Sequence, residues 1–406
     1  MPGPKITLLV TLTGRDRPGV TSRLFSVLST HNLSVLDVEQ VVIRGRLVLG
    51  VLLSCDTTPD LNLIHQQVTS VAADLDMDAE ITMGTEERLA NRRGSLHVTV
   101  LGNPLQPRVI AAIAGRIAAS GANIDKIGRL AHRPVTCIEF DVSGADPEAL
   151  RTALATDSVE LGADIAVQPG GLYRRSLRLI VMDVDSTLLQ DEAIDLLAEK
   201  AGCAAEVAEL TAAAMRGEAD FTESLHQRVA LLAGLEASAI DEVLTTLRLA
   251  PGARTLIRTL KRLGYRCGAV SGGFTQFTDW LTAELGLDYS AANQLEIADG
   301  RLTGRVIGPV VDRGYKEEAL RSFAALAGVP LSQTVAVGDG ANDLDMIAAA
   351  GLGIAFNAKP SVRDAADTSV SVPHLDAILY LLGIPRTDVE AADAEDGLPV
   401  YREAAG

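Results

Sequence analysis

The sequence predicts an α/β protein: two copies of a small β-α-β-β-α-β unit, followed by a parallel-sheet domain that carries a helical insertion. Three observations lead there. The 406 residues are too many for one ordinary core, so two or three domains are expected. Residues 5–83 and 96–168 run through the same order of strand-like and helical segments. From about residue 175 onward, short apolar runs end abruptly in polar clusters, as strands do at the functional edge of a parallel sheet.

The elements of the first copy begin with Leu8 to Thr13, a strand-like run leading to Gly14, then Asp16-Arg17-Pro18-Gly19 and a helix through about His31. In the second copy Leu96 to Leu101 leads to Gly102, a Pro-rich turn and a helix through about Ser120. The helices close at His31-Asn32-Leu33-Ser34-Val35 and Gly121-Ala122-Asn123-Ile124-Asp125. Strand-like pairs follow, Val38 to Ile43 with Leu47 to Ser54, and Lys126 to Leu130 with Thr136 to Val142. A second helix and a last strand complete each unit.

In the downstream domain, Leu179 to Met182 reads as a buried strand running into Asp183-Val184-Asp185-Ser186-Thr187. Residues 189–250 are long and helical, an insertion after that strand. Within them Asp220 and Glu223 open a helix as a capping box. Arg266 to Val270 is the next strand; it meets Ser271-Gly272-Gly273-Phe274 and a helix through Leu285, closed by Gly286. Lys316 stands at the start of a helix from Tyr315 to about Ala327. Thr334 to Val337 then leads into Gly338-Asp339-Gly340-Ala341-Asn342-Asp343. The tail from Arg386 to Gly406 is expected to be weakly ordered, with Asp388 to Asp396 a solvated acidic run.

Two aspartates one residue apart at a strand end suit phosphoryl chemistry. One attacks phosphorus, its neighbour handles the proton, and a divalent cation shields their repulsion. The spacing alone decides little, since Asp74/Asp76, Asp76/Asp78 and Asp343/Asp345 share it. A Ser-Gly-Gly turn also reads as an ordinary loop, and a lone Lys as a solvated side chain. What carries weight is the order: acidic pair, hydroxyl, ammonium and further acids at successive strand ends.

That order, Asp-x-Asp-x-Thr, Ser, Lys, Gly-Asp-Gly-x-Asn-Asp, resembles the haloacid dehalogenase-like phosphatases over residues 175–385. Within them the residues resemble the phosphoserine phosphatases, because the insertion carries Glu192, Met215, Phe221 and Arg228. The resemblance implies a Rossmann-like core with a small helical cap at about 189–250, and Mg²⁺ as cofactor. It implies Asp183 as nucleophile and Asp185 as acid and base, with Mg²⁺ on Asp183, Asp339 and the Asp185 carbonyl. Ser271, Gly272 and Lys316 would hold the phosphate, with Asn342 near it and Asp343 orienting Lys316 or a water. Glu192 would take the substrate ammonium and Arg228 its carboxylate through a planar two-pronged contact, while Met215 and Phe221 line the pocket. The implied activity is hydrolysis of O-phospho-L-serine, the last step of serine biosynthesis. Another small phosphomonoester, phosphotransfer to an alcohol, or an amino-acid sensor with a decayed phosphatase half are the other readings.

The N-terminal repeat resembles the ACT domain, a ferredoxin-like βαββαβ module that binds amino acids. The resemblance places effector contacts at Asp16 and Gly19, and at Gly102 in the second copy. There Asn103-Pro104-Leu105-Gln106-Pro107 departs from the motif, which puts an equal second site in doubt. Serine is the expected effector, and a homo-oligomer, a dimer first of all, is expected because such modules pair side by side. A scaffold without ligand is the plainer alternative.

A net charge of −17 argues against nucleic-acid partners, whose phosphates would be repelled. No apolar run approaches the roughly 20 residues of a membrane span. Met1-Pro2-Gly3-Pro4-Lys5 lacks the apolar core of a signal peptide. Cys55, Cys137, Cys203 and Cys267 are scattered and read as reduced thiols of a cytoplasmic protein, and the six histidines form no ligand pattern.

Overall fold

The computed structural model describes residues 6–55, 60–85, 95–215 and 220–399. The chain forms two compact units, Met1–Arg92 and Arg93–Gly406.

In the first unit a four-stranded antiparallel sheet has the order Leu33–Ile43, Arg46–Cys55, Ile6–Arg15, Met77–Thr85. Arg44 and Gly45, at φ 47° and 75°, make the two-residue hairpin that joins its first two strands. Positive φ at both central residues matches the turn to the strands' right-handed twist. Helices Val20–Leu28 and Leu61–Asp74 cover one face, burying Leu8, Val10, Leu12, Leu49, Val51, Ile64 and Val68 completely. Each such side chain contributes about 1.5–3 kcal/mol. The edge strand Leu33–Ile43 stays open, with Val35, Val41 and Ile43 at 52%, 49% and 66% exposure.

The second unit begins with the other repeat, in the order Asn123–Ala131, Thr136–Ser143, Leu96–Gly102, Asp164–Pro169, backed by helices Pro107–Ala119 and Pro147–Leu161. Asp60 and Asp146 cap the second helix of their respective repeats, accepting from Leu63 N–H and Ala149 N–H. Beyond it lies a seven-stranded sheet: Arg301–Ile307, Tyr289–Ala298, Arg266–Phe274, Leu179–Met182, Thr334–Gly338, Leu352–Phe356, Thr368–Val370. All its pairings are parallel except that of the first-named edge strand. Leu179–Met182 lies centrally and is wholly buried. The chain builds outward from it on one side and then, from Thr334, on the other. That reversal makes a crevice at the strands' C-terminal ends, where such sheets bind ligands.

Helices Ala193–Ala201, Ala204–Met215, Phe221–Ala230 and Ser238–Leu244 form the insertion, with a core of their own around Leu197, Val207, Leu225 and Val243 that continues into Phe274 and Phe277. The second repeat shares the core of the large sheet, since Leu101, Ala131, Cys137 and Ala166 pack in one cluster with Ile180, Val335 and Ile378. Arg174 clamps this junction. Its guanidinium donates to Thr99, Glu139 and Gln168 of the repeat and to the carbonyls of Tyr380 and Leu381.

The acidic stretch after residue 385 differs from the solvated run expected of it. It forms the helix Arg386–Glu395, on which Asp393 accepts from Arg258 at 2.7 Å and Arg262 at 2.6 Å. Guanidiniums distant in sequence neutralise charges that look unpartnered locally; residues 400–406 lie outside the described residues. No described helix is long and apolar enough to cross a membrane.

Candidate active site

Asp183 follows the central strand directly, its N–H bonded to Val337 O at 2.9 Å, so two strand ends fix its position. The chain then turns tightly, with Ser186 at φ 60°, a left-handed conformation unusual for a side chain with a Cβ. This turn carries Asp185 back into the crevice. One Asp185 oxygen accepts from Ala193 N–H at 3.1 Å, the other from Ser271 Oγ at 3.0 Å. Ser271 Oγ in turn accepts from Gly273 N–H at 2.7 Å.

Lys316 is fully buried, and its Nζ lies 2.5 Å from Asp183 Oδ1 and 2.6 Å from Asp343 Oδ1. Asp312 sets it there, capping the helix Arg313–Ala327 through Tyr315 N–H at 2.9 Å. The other Asp343 oxygen accepts from Gly340 N–H at 2.9 Å, and Thr187 donates to Asp339 at 3.3 Å. Gly338 has no room for a side chain, because a Cβ would stand 2.4 Å from the Asp343 carboxyl. Asn342 sits on the same turn, its Oδ1 beside Gly340.

The electrostatics follow from crowding acids in one crevice, where Asp183 and Asp343 are buried and Asp185 and Asp339 half-buried. Burial, then the Asp343 charge, push the Asp183 carboxyl well above its ordinary range against the pull of Lys316. Burial raises Asp185, and burial with Asp343 raises Asp339 to about 6. For Lys316 burial works against the charge, yet Asp183 and Asp343 outweigh it and hold the ammonium above its usual value. One cation against four carboxylates leaves negative charge in surplus. Asp183, Asp339 and Asp343 each bring an oxygen within 4.8 Å of the others. Both oxygens of Asp343 are engaged, so the remaining acceptor capacity lies with Asp183 and Asp339. An oxygen-only donor set with surplus charge fits a hard divalent cation.

The insertion closes over this crevice. Phe221 reaches Gly272 so closely that a Cβ there would lie 3.0 Å from Phe221 Cζ. Glu192, whose side chain still opens to solvent, accepts from Ser186 Oγ at 3.0 Å, and partial desolvation together with the Asp185 charge raises it to about 7. Arg228 donates to Ser224 O at 3.3 Å and Thr211 Oγ1 at 3.4 Å, both neutral oxygens. Burial lowers its guanidinium, while Glu192 and Asp195 act in the opposite sense. Met215 ends its helix, and its side chain, like residues 216–219, lies outside the described residues. Thr211 and Asp195 are residues the sequence does not single out; their helical spacing shows no motif.

In the first unit Asp16, Arg17, Pro18, Gly19, Thr21 and Gln40 line a cavity of about 420 Å³. Gly19, at φ 95°, turns the chain into the following helix. In the second repeat a Cβ on Gly102 would stand 3.1 Å from the Leu105 side chain, so that loop folds back on itself.

A buried Asp–Lys–Asp crevice at a sheet's switch point, roofed by a helical insertion, defines a haloacid dehalogenase-like hydrolase. The family model described as haloacid dehalogenase-like hydrolase matches residues 180–348, and ACT-domain models match residues 6–82 and 95–168. The chain is 62% identical to a phosphoserine phosphatase of Streptomyces coelicolor, over 95% of this chain and 94% of that one. It is 52% identical to a phosphoserine phosphatase of Mycobacterium tuberculosis, over 97% of each. Among solved structures, a probable phosphoserine phosphatase from Vibrio cholerae superposes with a TM-score of 0.58 at 35% identity, covering 77% of this chain and 92% of that one. The chain belongs to the phosphoserine phosphatase family, and a divalent cation belongs to its site.

Proposed function

We propose that this protein hydrolyses O-phospho-L-serine to L-serine and phosphate, the last step of serine biosynthesis in the cytoplasm. The observation that carries the reading is Lys316 locked between Asp183 and Asp343, opposite an Asp185 held by Ser271. An oxygen of Asp183 attacks phosphorus; the bond to the serine oxygen breaks as Asp185 gives that oxygen its proton. Water then attacks the aspartyl-phosphate, Asp185 takes the water's proton, and the Asp183 carboxylate is released. Burial keeps the Asp185 carboxyl raised, which suits a group that carries a proton between the two steps. Mg²⁺, on Asp183, Asp339 and the Asp185 carbonyl, would neutralise charge on the phosphate oxygens. Ser271, Gly272 and Lys316 orient those oxygens, with Asn342 close by, and Asp343 orients Lys316.

The Glu192 charge acts on the Arg228 guanidinium, and an acid and a guanidinium in one neighbourhood suit the ammonium and carboxylate of one small substrate. Phe221, which reaches Gly272, lines the same pocket, and the family resemblance assigns Met215 to it as well. In the first repeat the Asp16–Gly19 cavity takes serine as effector, and the open strand Leu33–Ile43 supports pairing into a dimer.

Phosphate release from L-phosphoserine with Mg²⁺, beside Asp183→Asn, phosphothreonine and a sugar phosphate, tests the proposal. Mg²⁺-dependent preference for phosphoserine, abolished in Asp183→Asn, is expected. Activity without that preference overturns the roles of Glu192 and Arg228, and inactivity on every substrate overturns the phosphatase itself.

A further inference from the structure

Asn293 belongs to no motif, yet it is 1% exposed and joins two parts of the crevice. Its Nδ2 donates to Gly272 O at 2.7 Å, and its Oδ1 accepts from Val311 N–H at 2.8 Å. The strands on either side explain why an amide is needed there. The parallel ladder pairs Val270 with Ala291 and resumes at Phe274 with Asn293, so four steps on one strand face two on the other. Ser271, Gly272 and Gly273 thus stand against Ala292 alone, two residues in excess, and the Ser271 hydroxyl reaches Asp185. Bulges of this kind re-aim side chains, at the expense of ladder hydrogen bonds. The Gly272 carbonyl loses its ladder partner, and a buried carbonyl left unpaired costs about 1–3 kcal/mol. The Asn293 side chain supplies the missing donor.

The other end of the amide matters equally. Val311 precedes Asp312, whose carboxylate caps the Lys316 helix and whose carbonyl accepts from Lys316 N–H at 3.0 Å. Ser271 therefore lies one residue from one anchor of Asn293, and Lys316 five residues from the other. Phe221 of the cap also lands on Gly272. We infer that Asn293 is a positioning residue: one amide sets the hydroxyl of Ser271 and the ammonium of Lys316 in register around the transferred phosphoryl group. The inference rests on the phosphatase reading above and adds to it a residue that touches neither substrate nor cation.

Two variants of the full chain test it, each assayed on phosphoserine and on a generic aryl phosphate. Asn293→Ala removes both hydrogen bonds, and kcat is expected to fall about 10- to 100-fold, the scale of a small misplacement of reacting groups, with KM little changed. Asn293→Asp has the same shape; ionised, it presents a carboxylate oxygen to the Gly272 carbonyl and lacks the donor. Protonated, its O–H donates to that carbonyl again. The ratio of variant to wild-type kcat is therefore expected to rise as pH falls from 8 to about 5.5, because titration of shared groups cancels in the ratio. Should Asn293→Ala not fold, this ratio alone decides. Wild-type kcat in folded variants, or a ratio independent of pH, overturns the inference. Wild-type enzyme active on the aryl phosphate but not on phosphoserine would instead overturn the proposed substrate, and the same ratios on the aryl phosphate would still decide the role of Asn293.

Discussion

The two repeats share one topology and differ in what covers them. In the first, the edge strand Leu33–Ile43 is open along its length, and the Asp16–Gly19 loop frames a cavity. In the second, the equivalent strand Asn123–Ala131 ends in Ala131, buried in the core of the large sheet, and the helix Arg386–Glu395 packs on it. Its loop folds back through Leu105 where the first repeat leaves space. One copy kept a module's surface and the other became part of the enzyme's frame. A fold alone does not say which of these a repeat will be.

Cutting the chain tests this difference most severely. Residues 93–406 are expected to remain folded and to release phosphate from phosphoserine, because Met1–Arg92 is a separate unit. Residues 175–406 would expose the apolar surface that Leu101, Ala131, Cys137 and Ala166 now cover, and are expected to aggregate on gel filtration. Equal behaviour of the two truncations would make the second repeat as dispensable as the first.

Single clamps come next. Arg174→Ala removes a buried guanidinium and leaves the half-buried Glu139 with only Thr99 and His97 beside it, which costs about 3 kcal/mol and is read in urea unfolding of the full chain. Arg17→Ala in the first repeat breaks only an exposed pair with Asp76, and about 0–1 kcal/mol is expected.

Asp164 gives a smaller effect with a sign. It is 5% exposed and accepts from Ser371 N–H and Ser371 Oγ, both at 2.7 Å, joining the second repeat to the large sheet. Burial raises its carboxyl above the usual value, an effect only partly offset by those bonds. The folded state therefore binds the proton more tightly than the unfolded one. That contribution is full below the ordinary value of 3.8 and is lost as pH rises through the raised one. Asp164→Asn lacks this slope, so it should gain on wild type as pH rises through that window, measured by urea midpoints. A constant gap would mean that the carboxyl titrates alike in the folded and unfolded chain.

The gentlest comparison is at the loops. Asp16→Ala is expected to abolish any serine response while leaving activity without serine unchanged; Asn103→Ala in the corresponding loop should leave the response intact. Calorimetry with serine on both variants checks it, and loss in both would make the repeats equal.

The fold was legible because each repeat and each strand end is a local pattern, a few residues of one type followed by another. The residue types of the crevice were legible for the same reason. What brings them into contact was less so: Lys316 reaches across 133 residues to Asp183. Arg174 looks like one of several linker arginines until its acceptors arrive from both sides. The acidic stretch 388–396 reads as solvated because Arg258 and Arg262 are more than a hundred residues away. Asn293 carries no signal at all, since its task exists only once the neighbouring strand bulges.

The Arg174 clamp also sets a clock. The carbonyls of Tyr380 and Leu381 that receive it follow it by 206 and 207 residues. At roughly 5–20 residues per second, a ribosome makes them about 10–40 s after the arginine. Until then the acceptors made for Arg174 are Thr99, Glu139 and Gln168 of the repeat itself, and the apolar flank of Leu101, Ala131, Cys137 and Ala166 still lacks Val335 and Ile378. The core of the second unit is thus completed only near the end of synthesis, whereas that of the first repeat, from Leu8 to Met77, is made at its start.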